Sequence, residues 1–134
     1  MTPAPTQPIL LVEDDFQLRH TIAALLQEEG FAVTTAADGR EAVERVTTQR
    51  PALVLLDWGL PLLSGAEVAE VIHTTYHGDV PILLITADGR SAEKARQVGA
   101  RDYLNKPFEV DTLLTTIDRI LSSPPSPPSP PSAA

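Results

Sequence analysis

The chain has 134 residues, no cysteine, a hydrophobic content of 43% and a formal net charge of −8 at pH 7. This length and composition suffice for one domain with a single core. The lack of cysteine excludes disulfides, thiolate metal sites and thiol nucleophiles, and it is compatible with the cytoplasm, where we expect the protein to act. The negative charge and the lack of a basic stretch argue against direct nucleic-acid binding. The sequence shows neither a membrane-spanning run nor a signal peptide, so we expect no membrane association.

Five apolar runs alternate with amphipathic segments, which is typical of a parallel sheet covered by helices on both faces. The predicted strands are Ile9–Val12, Ala32–Ala36, Leu53–Leu56, Ile82–Thr86 and Asp102–Leu104. The third and fourth runs are almost entirely aliphatic, which predicts central strands that are buried on both sides. The predicted fold class is therefore α/β, a five-stranded parallel sheet that is doubly wound from five βα units.

The segments between the strands show helical spacing of apolar residues. The first predicted helix ends near Gly30, a residue suited to a left-handed C-terminal cap. The second and third helices begin at pairs with capping-box spacing, Asp38 with Glu41 and Ser64 with Glu67. The fourth predicted helix, Ser91–Val98, has a weak apolar face, which predicts loose packing, and the fifth helix ends at about Leu121.

After Leu121 the sequence consists of Pro-Pro-Ser repeats, which remove backbone donors and offer nothing to bury. We predict a flexible N-terminus over residues 1–7, a folded domain over residues 8–121 and a disordered Pro/Ser-rich tail over residues 122–134. Such a tail is typical of a linker or frayed terminus, and a proline-rich docking ligand is the alternative.

Polar residues follow the predicted strands at their carboxyl ends, where open α/β sheets bind ligands. They are Glu13, Asp14, Asp57, Thr86 and Lys106. Three carboxylates at one edge repel one another, and a hard divalent cation such as Mg²⁺ relieves that repulsion. Lys106 and the Thr86 hydroxyl are suited to hold phosphate oxygens, which makes Asp57 the candidate nucleophile. Each residue alone is better explained as a turn or cap residue, but their joint placement favours a site.

Four motifs carry a resemblance to a known family. They are Ile-Leu-Leu-Val-Glu-Asp-Asp, Leu-Leu-Asp57-Trp-Gly-Leu-Pro-Leu-Leu-Ser-Gly65, Ile-Thr86-Ala87 and Asp-Tyr103-Leu-Asn-Lys106-Pro107-Phe. With these motifs, residues 8–121 resemble the receiver domains of response regulators, the CheY-like family of two-component signalling. The resemblance implies a flavodoxin-like receiver fold and a role in a phosphorelay.

The resemblance also implies a role for each site residue. Asp57 would accept a phosphoryl group, with Mg²⁺ as the cofactor. The metal ligands would be Glu13, Asp14, Asp57 and the backbone carbonyl of Gly59. Thr86 and Lys106 would contact the phosphoryl oxygens, and the bond between Lys106 and Pro107 would be cis. Thr86 and Tyr103 would form a switch that reshapes a protein-interaction surface.

The implied partners are a sensor histidine kinase or phosphotransfer protein and a downstream protein target. A phosphorylation-dependent homodimer is left open, as is the choice between a stand-alone receiver and a fragment of a larger regulator or hybrid kinase. The domain would catalyse only its own phosphorylation and dephosphorylation, so we do not expect an enzyme in the ordinary sense. Positions 59 and 88, here Gly59 and Asp88, would set the lifetime of the phosphoryl group, in a direction that the sequence does not fix.

Two other interpretations compete. A haloacid-dehalogenase-type phosphatase also uses an aspartate nucleophile with Mg²⁺ and a lysine, but it needs a second aspartate two residues later as general acid, where this chain has Gly59. A pseudo-receiver would keep the fold without phosphorylation. The full set of polar residues argues against it.

Overall fold

A computed structural model describes residues 7–60, 62–87 and 89–122. Most of the predicted N-terminal segment and Pro/Ser tail, together with Asp88, lies outside the described residues. The strands are β1 (Ile9–Val12), β2 (Val33–Ala36), β3 (Leu53–Asp57), β4 (Ile82–Thr86) and β5 (Asp102–Asn105). The helices are α1 (Phe16–Glu28), α2 (Gly39–Thr48), α3 (Gly65–Tyr76), α4 (Ser91–Val98) and α5 (Val110–Ser122). In these ranges no helix has the length and apolar character required to span a bilayer.

All strand pairs are parallel, and the sheet order is β2-β1-β3-β4-β5. This arrangement confirms the predicted doubly wound α/β fold. The connection from β1 leads to one edge of the sheet, and the chain then returns to β3 on the other side of β1. Such a reversal leaves a crevice between the carboxyl ends of β1 and β3, which is the usual ligand position in open α/β sheets.

The strand ends differ slightly from the prediction, and the difference at β3 lies at the crevice. The sequence predicts that the third strand ends at Leu56, but β3 continues through Asp57, which pairs with Ile85. The ladder extends one step further, because the Trp58 N–H donates to the Ile85 carbonyl at 2.9 Å. Asp57 is therefore held by the sheet itself and not by a loop. At β2 the strand begins at Val33, one residue later than predicted.

Side chains of the strands alternate between two separate cores. On one face, which we call the α1/α5 face, α1 and α5 pack against the strands. Its buried residues include Leu11, Leu55, Ile85, Ile22 and Ile117. On the other, the α2–α4 face, three helices cover the sheet. Its buried residues include Val12, Leu56, Leu84, Val68 and Ala95.

The end of α1 has the predicted left-handed cap. Gly30 has φ +94°, its N–H donates to the Gln27 carbonyl, and the Phe31 N–H donates to the Leu26 carbonyl. This is the hydrogen-bond pattern of a Schellman motif, which needs a left-handed residue at this position. The glycine thus turns the chain from α1 toward β2.

The two predicted capping boxes differ in the structure. At α3 the box is complete, since the Ser64 side chain accepts from the Glu67 N–H and the Glu67 carboxylate accepts from the Ser64 N–H, both at 3.1 Å. At α2 only half is formed: Asp38 accepts from the Glu41 N–H at 2.8 Å, but the Glu41 carboxylate accepts from Ala37 instead. Both helix starts are nevertheless at the predicted residues.

The start of α2 approaches the loop after β3 very closely. A Cβ atom added at Gly39 would lie 2.4 Å from the carbonyl oxygen of Leu63 and 2.6 Å from its Cβ. Both distances are below contact, so only glycine fits here without movement of the loop. Gly39 therefore helps to set the position of the segment between Asp57 and α3.

We expect Gly39→Ala to lower the free energy of unfolding by about 2 kcal/mol, because the new methyl group overpacks against Leu63. Gly59→Ala is the matched control, since a Cβ there meets nothing within 4 Å. That variant should change stability by less than about 0.5 kcal/mol. Urea denaturation of both variants measures the difference. Equal stability of the two would mean that the Leu63 loop moves without cost.

Candidate functional site

The carboxyl ends of β1 and β3 bring three acidic side chains together. Glu13 directly follows β1, Asp14 comes next, and Asp57 is the last residue of β3. One carboxylate oxygen from each lies within 4.8 Å of the others. Glu13 and Asp57 are buried, with 1% and 6% exposure, whereas Asp14 is exposed. The three candidate metal ligands predicted from the sequence are thus one cluster.

Lys106 directly follows the edge strand β5, and its side chain extends along the carboxyl ends of the strands to this cluster. Its Nζ lies 2.9 Å from Oε1 of Glu13 and 3.4 Å from Oδ1 of Asp57. Its backbone N–H donates to the Thr86 carbonyl at 2.8 Å, which extends the β4–β5 ladder by one residue. The bond between Lys106 and Pro107 is cis. One ammonium group therefore bridges two buried carboxylates.

The alternation of the strands explains why these groups meet. Glu13, Asp57 and Lys106 each continue a strand in the register that points to the α1/α5 face. Thr86 has the opposite register and is 2% exposed at the end of β4, one residue beyond Ile85, the partner of Asp57. Tyr103 shares the register of Thr86 and is 36% exposed on β5. Glu13, Asp57 and Lys106 therefore continue one face of the sheet, and Thr86 and Tyr103 continue the other.

Burial dominates the electrostatics of the two buried acids. Burial raises the pKa of Asp57, and the charge of Asp14 raises it further, although Lys106 and the N–H of Gly59 oppose this. Burial also raises the pKa of Glu13, while Lys106 and the Asp15 N–H lower it in part. Both carboxylates are held in an environment that disfavours their charge.

The lysine has the opposite balance. Burial lowers the pKa of Lys106, but the 2.9 Å contact with Glu13 and the charge of Asp57 outweigh it, so the pKa is raised overall. Lys106 therefore stays protonated at neutral pH. One positive charge faces three carboxylates, and the cluster has an excess of negative charge.

The donor set fits a hard divalent cation. All three side chains offer carboxylate oxygens, the ligands that Mg²⁺ prefers in proteins. Oε1 of Glu13 is buried, and although Lys106 Nζ is 2.9 Å away, the contact lacks the alignment of a hydrogen bond. Within the described residues this oxygen has no aligned donor, so it retains capacity to bind a cation. The N–H of Gly59 donates to the Asp57 carboxylate, which places this residue beside the cluster.

Three contacts near the site were not foreseen from the sequence. Trp58 packs against the α2–α4 core, and Lys94 Nζ of α4 lies 4.9 Å from the centroid of its ring. The sequence favours a solvated position for Lys94. Gly65, at the start of α3, leaves only 3.3 Å between a potential Cβ and the Asp57 carbonyl oxygen. Arg19 of α1 donates to the carbonyl of Glu13 at 2.9 Å. The only sequence signal for this Arg19 contact is that Arg19 lies one helical turn after Asp15.

The family model of the response regulator receiver domain matches residues 9–118. The response regulator MprA of Mycolicibacterium vanbaalenii is 38% identical over 115 residues, which are 84% of this chain and 49% of that protein. The transcriptional regulatory protein CrdR of Helicobacter pylori is 35% identical over 119 residues, which are 87% of this chain and 56% of that protein. The chain thus spans about half the length of the curated relatives it matches.

Solved structures give the same result. The chemotaxis protein CheY4 of Vibrio cholerae superimposes with a TM-score of 0.80 and 32% identity, covering 87% of this chain and 99% of that one. The receiver domain of NtrX from Brucella abortus superimposes with a TM-score of 0.79 and 30% identity, with the same coverage. The fold and the acidic crevice define a CheY-like signalling domain. The chain belongs to the response regulator receiver domain family of two-component systems.

We expect Asp57→Asn to raise the free energy of unfolding without Mg²⁺ by roughly 1 kcal/mol at pH 7, because it removes a buried and repelled charge. A carboxyl group whose pKa is raised by folding binds more protons in the folded state, so its contribution to stability falls as pH rises. The variant should therefore also lose part of that pH dependence. Urea denaturation in EDTA from pH 5 to 8 measures both effects.

Asp79→Asn, an exposed aspartate after α3, is the control and should change stability by less than about 0.5 kcal/mol. If Asp57→Asn were less stable than the wild type, the pairing with Lys106 would outweigh burial, contrary to this prediction.

Proposed function

We propose that the chain is a Mg²⁺-dependent phosphoacceptor that takes a phosphoryl group on Asp57 from a histidine kinase or phosphotransfer protein. The observation that carries the proposal is the Lys106 ammonium, which lies within 3.4 Å of Asp57 in a cluster of three carboxylates. Such a cluster destabilises the fold, and membership of the receiver family supports a functional role for it.

In the proposed reaction, an Oδ atom of Asp57 attacks the phosphorus of a phosphohistidine. The new P–O bond forms as the P–N bond breaks, and the imidazole of the partner leaves. Mg²⁺, bound by Glu13, Asp14, Asp57 and the carbonyl of Gly59, would supply positive charge for the phosphoryl oxygens. Lys106 is placed to neutralise another oxygen, and the Thr86 hydroxyl to donate to a third.

The product is an acyl phosphate, which water hydrolyses to restore Asp57. The domain would thus act on its own side chain and not as a turnover enzyme. Position 59 is a glycine, so no side chain there shields the acyl phosphate. The space is open, because a Cβ added at Gly59 would meet nothing within 4 Å. The second position that bears on lifetime, Asp88, lies outside the described residues.

Two exposed apolar residues support docking of a phosphodonor at this edge of the sheet. Phe16 follows the β1 turn and is 69% exposed, and Leu62 follows β3 and is 68% exposed. Leu62 also has φ +72°, a conformation that is unusual for a leucine. Exposed apolar groups that border a polar site are typical of protein-interaction surfaces.

We propose the cytoplasm as the location and residues 8–121 as the functional domain.

The proposed output is a change at the surface formed by α4, β5 and α5. Thr86 would move toward the phosphoryl oxygens, and Tyr103 would turn into the space that Thr86 leaves. A downstream protein, or a second copy of the domain, would recognise the altered surface of α4, β5 and α5. At the start of α4, Arg90 provides no side-chain cap, whereas the Ser91 hydroxyl donates to the side chain of Asn105 at the end of β5.

Incubation with acetyl phosphate and Mg²⁺ should add one phosphoryl group, seen by intact-mass analysis. The adduct should be lost in EDTA and in Asp57→Asn, because the nucleophile or the cation is then missing. Asp79→Asn, which neutralises an aspartate at the other end of the sheet, should still give the adduct. If the wild type forms no adduct and also fails to bind beryllofluoride, the pseudo-receiver becomes the better interpretation.

The switch is tested on the two tyrosines of the chain, Tyr76 and Tyr103. In protein labelled with 3-fluorotyrosine, beryllofluoride with Mg²⁺ should shift the ¹⁹F resonance of Tyr103. The resonance of Tyr76, whose hydroxyl donates to the Val46 carbonyl between α3 and α2, should stay in place. Thr86→Ala should reduce the Tyr103 shift, because the hydroxyl that couples it to the site is gone. Equal shifts of both tyrosines would contradict a switch confined to Tyr103.

A further inference from the structure

The turn between β1 and α1, which carries two of the candidate metal ligands, is held from behind by Arg19. Its Nη1 donates to the carbonyl of Glu13 at 2.9 Å and lies 3.4 Å from the carbonyl of Asp14. The ring of Phe16 lies over the guanidinium, 5.5 Å from Cζ to the ring centroid. A single side chain thus bonds the two consecutive carbonyls of the acidic pair.

The two acids depend on this support to different degrees. The side chain of Glu13 is fixed directly, because its Oε2 accepts from the Asp15 N–H at 3.1 Å and its Oε1 faces Lys106. Asp14 is exposed, and among the described residues no hydrogen bond holds its carboxylate. The direction of the Asp14 side chain therefore follows from its backbone, and Arg19 holds the carbonyls on both sides of the Asp14 α-carbon.

We propose that Arg19 is a positioning residue for cation binding: by holding the carbonyls of Glu13 and Asp14, it keeps the Asp14 carboxylate directed at the shared site. The inference rests on the proposed function, since it assumes that the acidic cluster binds Mg²⁺. Residues that orient metal ligands commonly affect metal affinity strongly although they do not touch the metal.

Geometry and charge predict opposite results for loss of Arg19. A positive charge near an acidic cluster repels a cation, so its removal alone would strengthen Mg²⁺ binding. Loss of the two carbonyl contacts frees the turn and should weaken binding. The sign of the change therefore separates a positioning role from a general electrostatic one.

The test measures the Mg²⁺ dissociation constant from the rise in melting temperature with Mg²⁺ concentration, with Trp58 emission as a second readout. Trp58 is the only tryptophan and directly follows Asp57. Arg19→Met should weaken Mg²⁺ binding about tenfold. Arg19→Lys keeps the charge, but its side chain ends one bond short of the Nη1 position that contacts both carbonyls, so it should weaken binding about threefold. Arg119→Met, which removes an arginine paired with Asp102 on α5 and β5, should stay within about twofold of the wild type.

The positioning role would be overturned if Arg19→Met bound Mg²⁺ as tightly as the wild type or more tightly. It would also be overturned if the Mg²⁺ dissociation constant of Arg19→Lys were unchanged. Should Arg19→Met not fold, as judged by its urea transition without Mg²⁺, Arg19→Lys decides the question alone. The measurement distinguishes a failure of the proposed function from a failure of the Arg19 inference. A wild type that does not bind Mg²⁺ contradicts the proposed function, whereas a wild type that binds and an Arg19 series that binds equally well contradicts only this inference.

Discussion

The structure around the crevice depends on one electrostatic constraint, the repulsion among three carboxylates that the sheet holds within 4.8 Å of one another. Two of them are buried, and a buried charge is costly unless it is paired. Lys106 is the only cation that ion-pairs with the cluster among the described residues, and it contacts two of the three acids. In the proposed function, the remaining excess of negative charge attracts the cation that the reaction of Asp57 requires.

The alternation of side chains along the strands separates this chemistry from its readout. Asp57 continues the register of the α1/α5 face, whereas its neighbour Trp58 packs against the α2–α4 core. Lys94 of α4 lies against the ring of Trp58, so α4 contacts the residue that is covalently next to the acceptor. Because the ladder holds both Asp57 and Trp58 to β4, a strand and not a loop connects the proposed acceptor to the Lys94 contact.

Much of this arrangement was predictable from the sequence. Aliphatic runs marked the strands, Gly30 and Ser64 marked helix ends, and strand-end acids marked the crevice, because each signal is local or follows from the parallel order. The close approach of Gly39 to Leu63, the Lys94 contact with Trp58 and the bonds from Arg19 to two carbonyls were not predictable. These features depend on rotamers and on distances between elements, which no sequence spacing encodes. At Asp38 the local signal was present, yet Glu41 bonded to Ala37 instead, since two backbone donors competed for one carboxylate.

The acidic cluster lies at the ends of strands that are uniformly apolar, because helices cover both faces of the sheet. Every residue of β1, β3 and β4 is buried, and apart from Asp57 and Thr86 each of them is aliphatic. This core offsets charges that destabilise the fold, as is common where binding sites store unfavourable interactions. A cation that neutralises the cluster gains its affinity in part from the relief of repulsion already present in the metal-free protein. In the proposed function, the packing that forces Glu13 and Asp57 together therefore contributes to metal affinity.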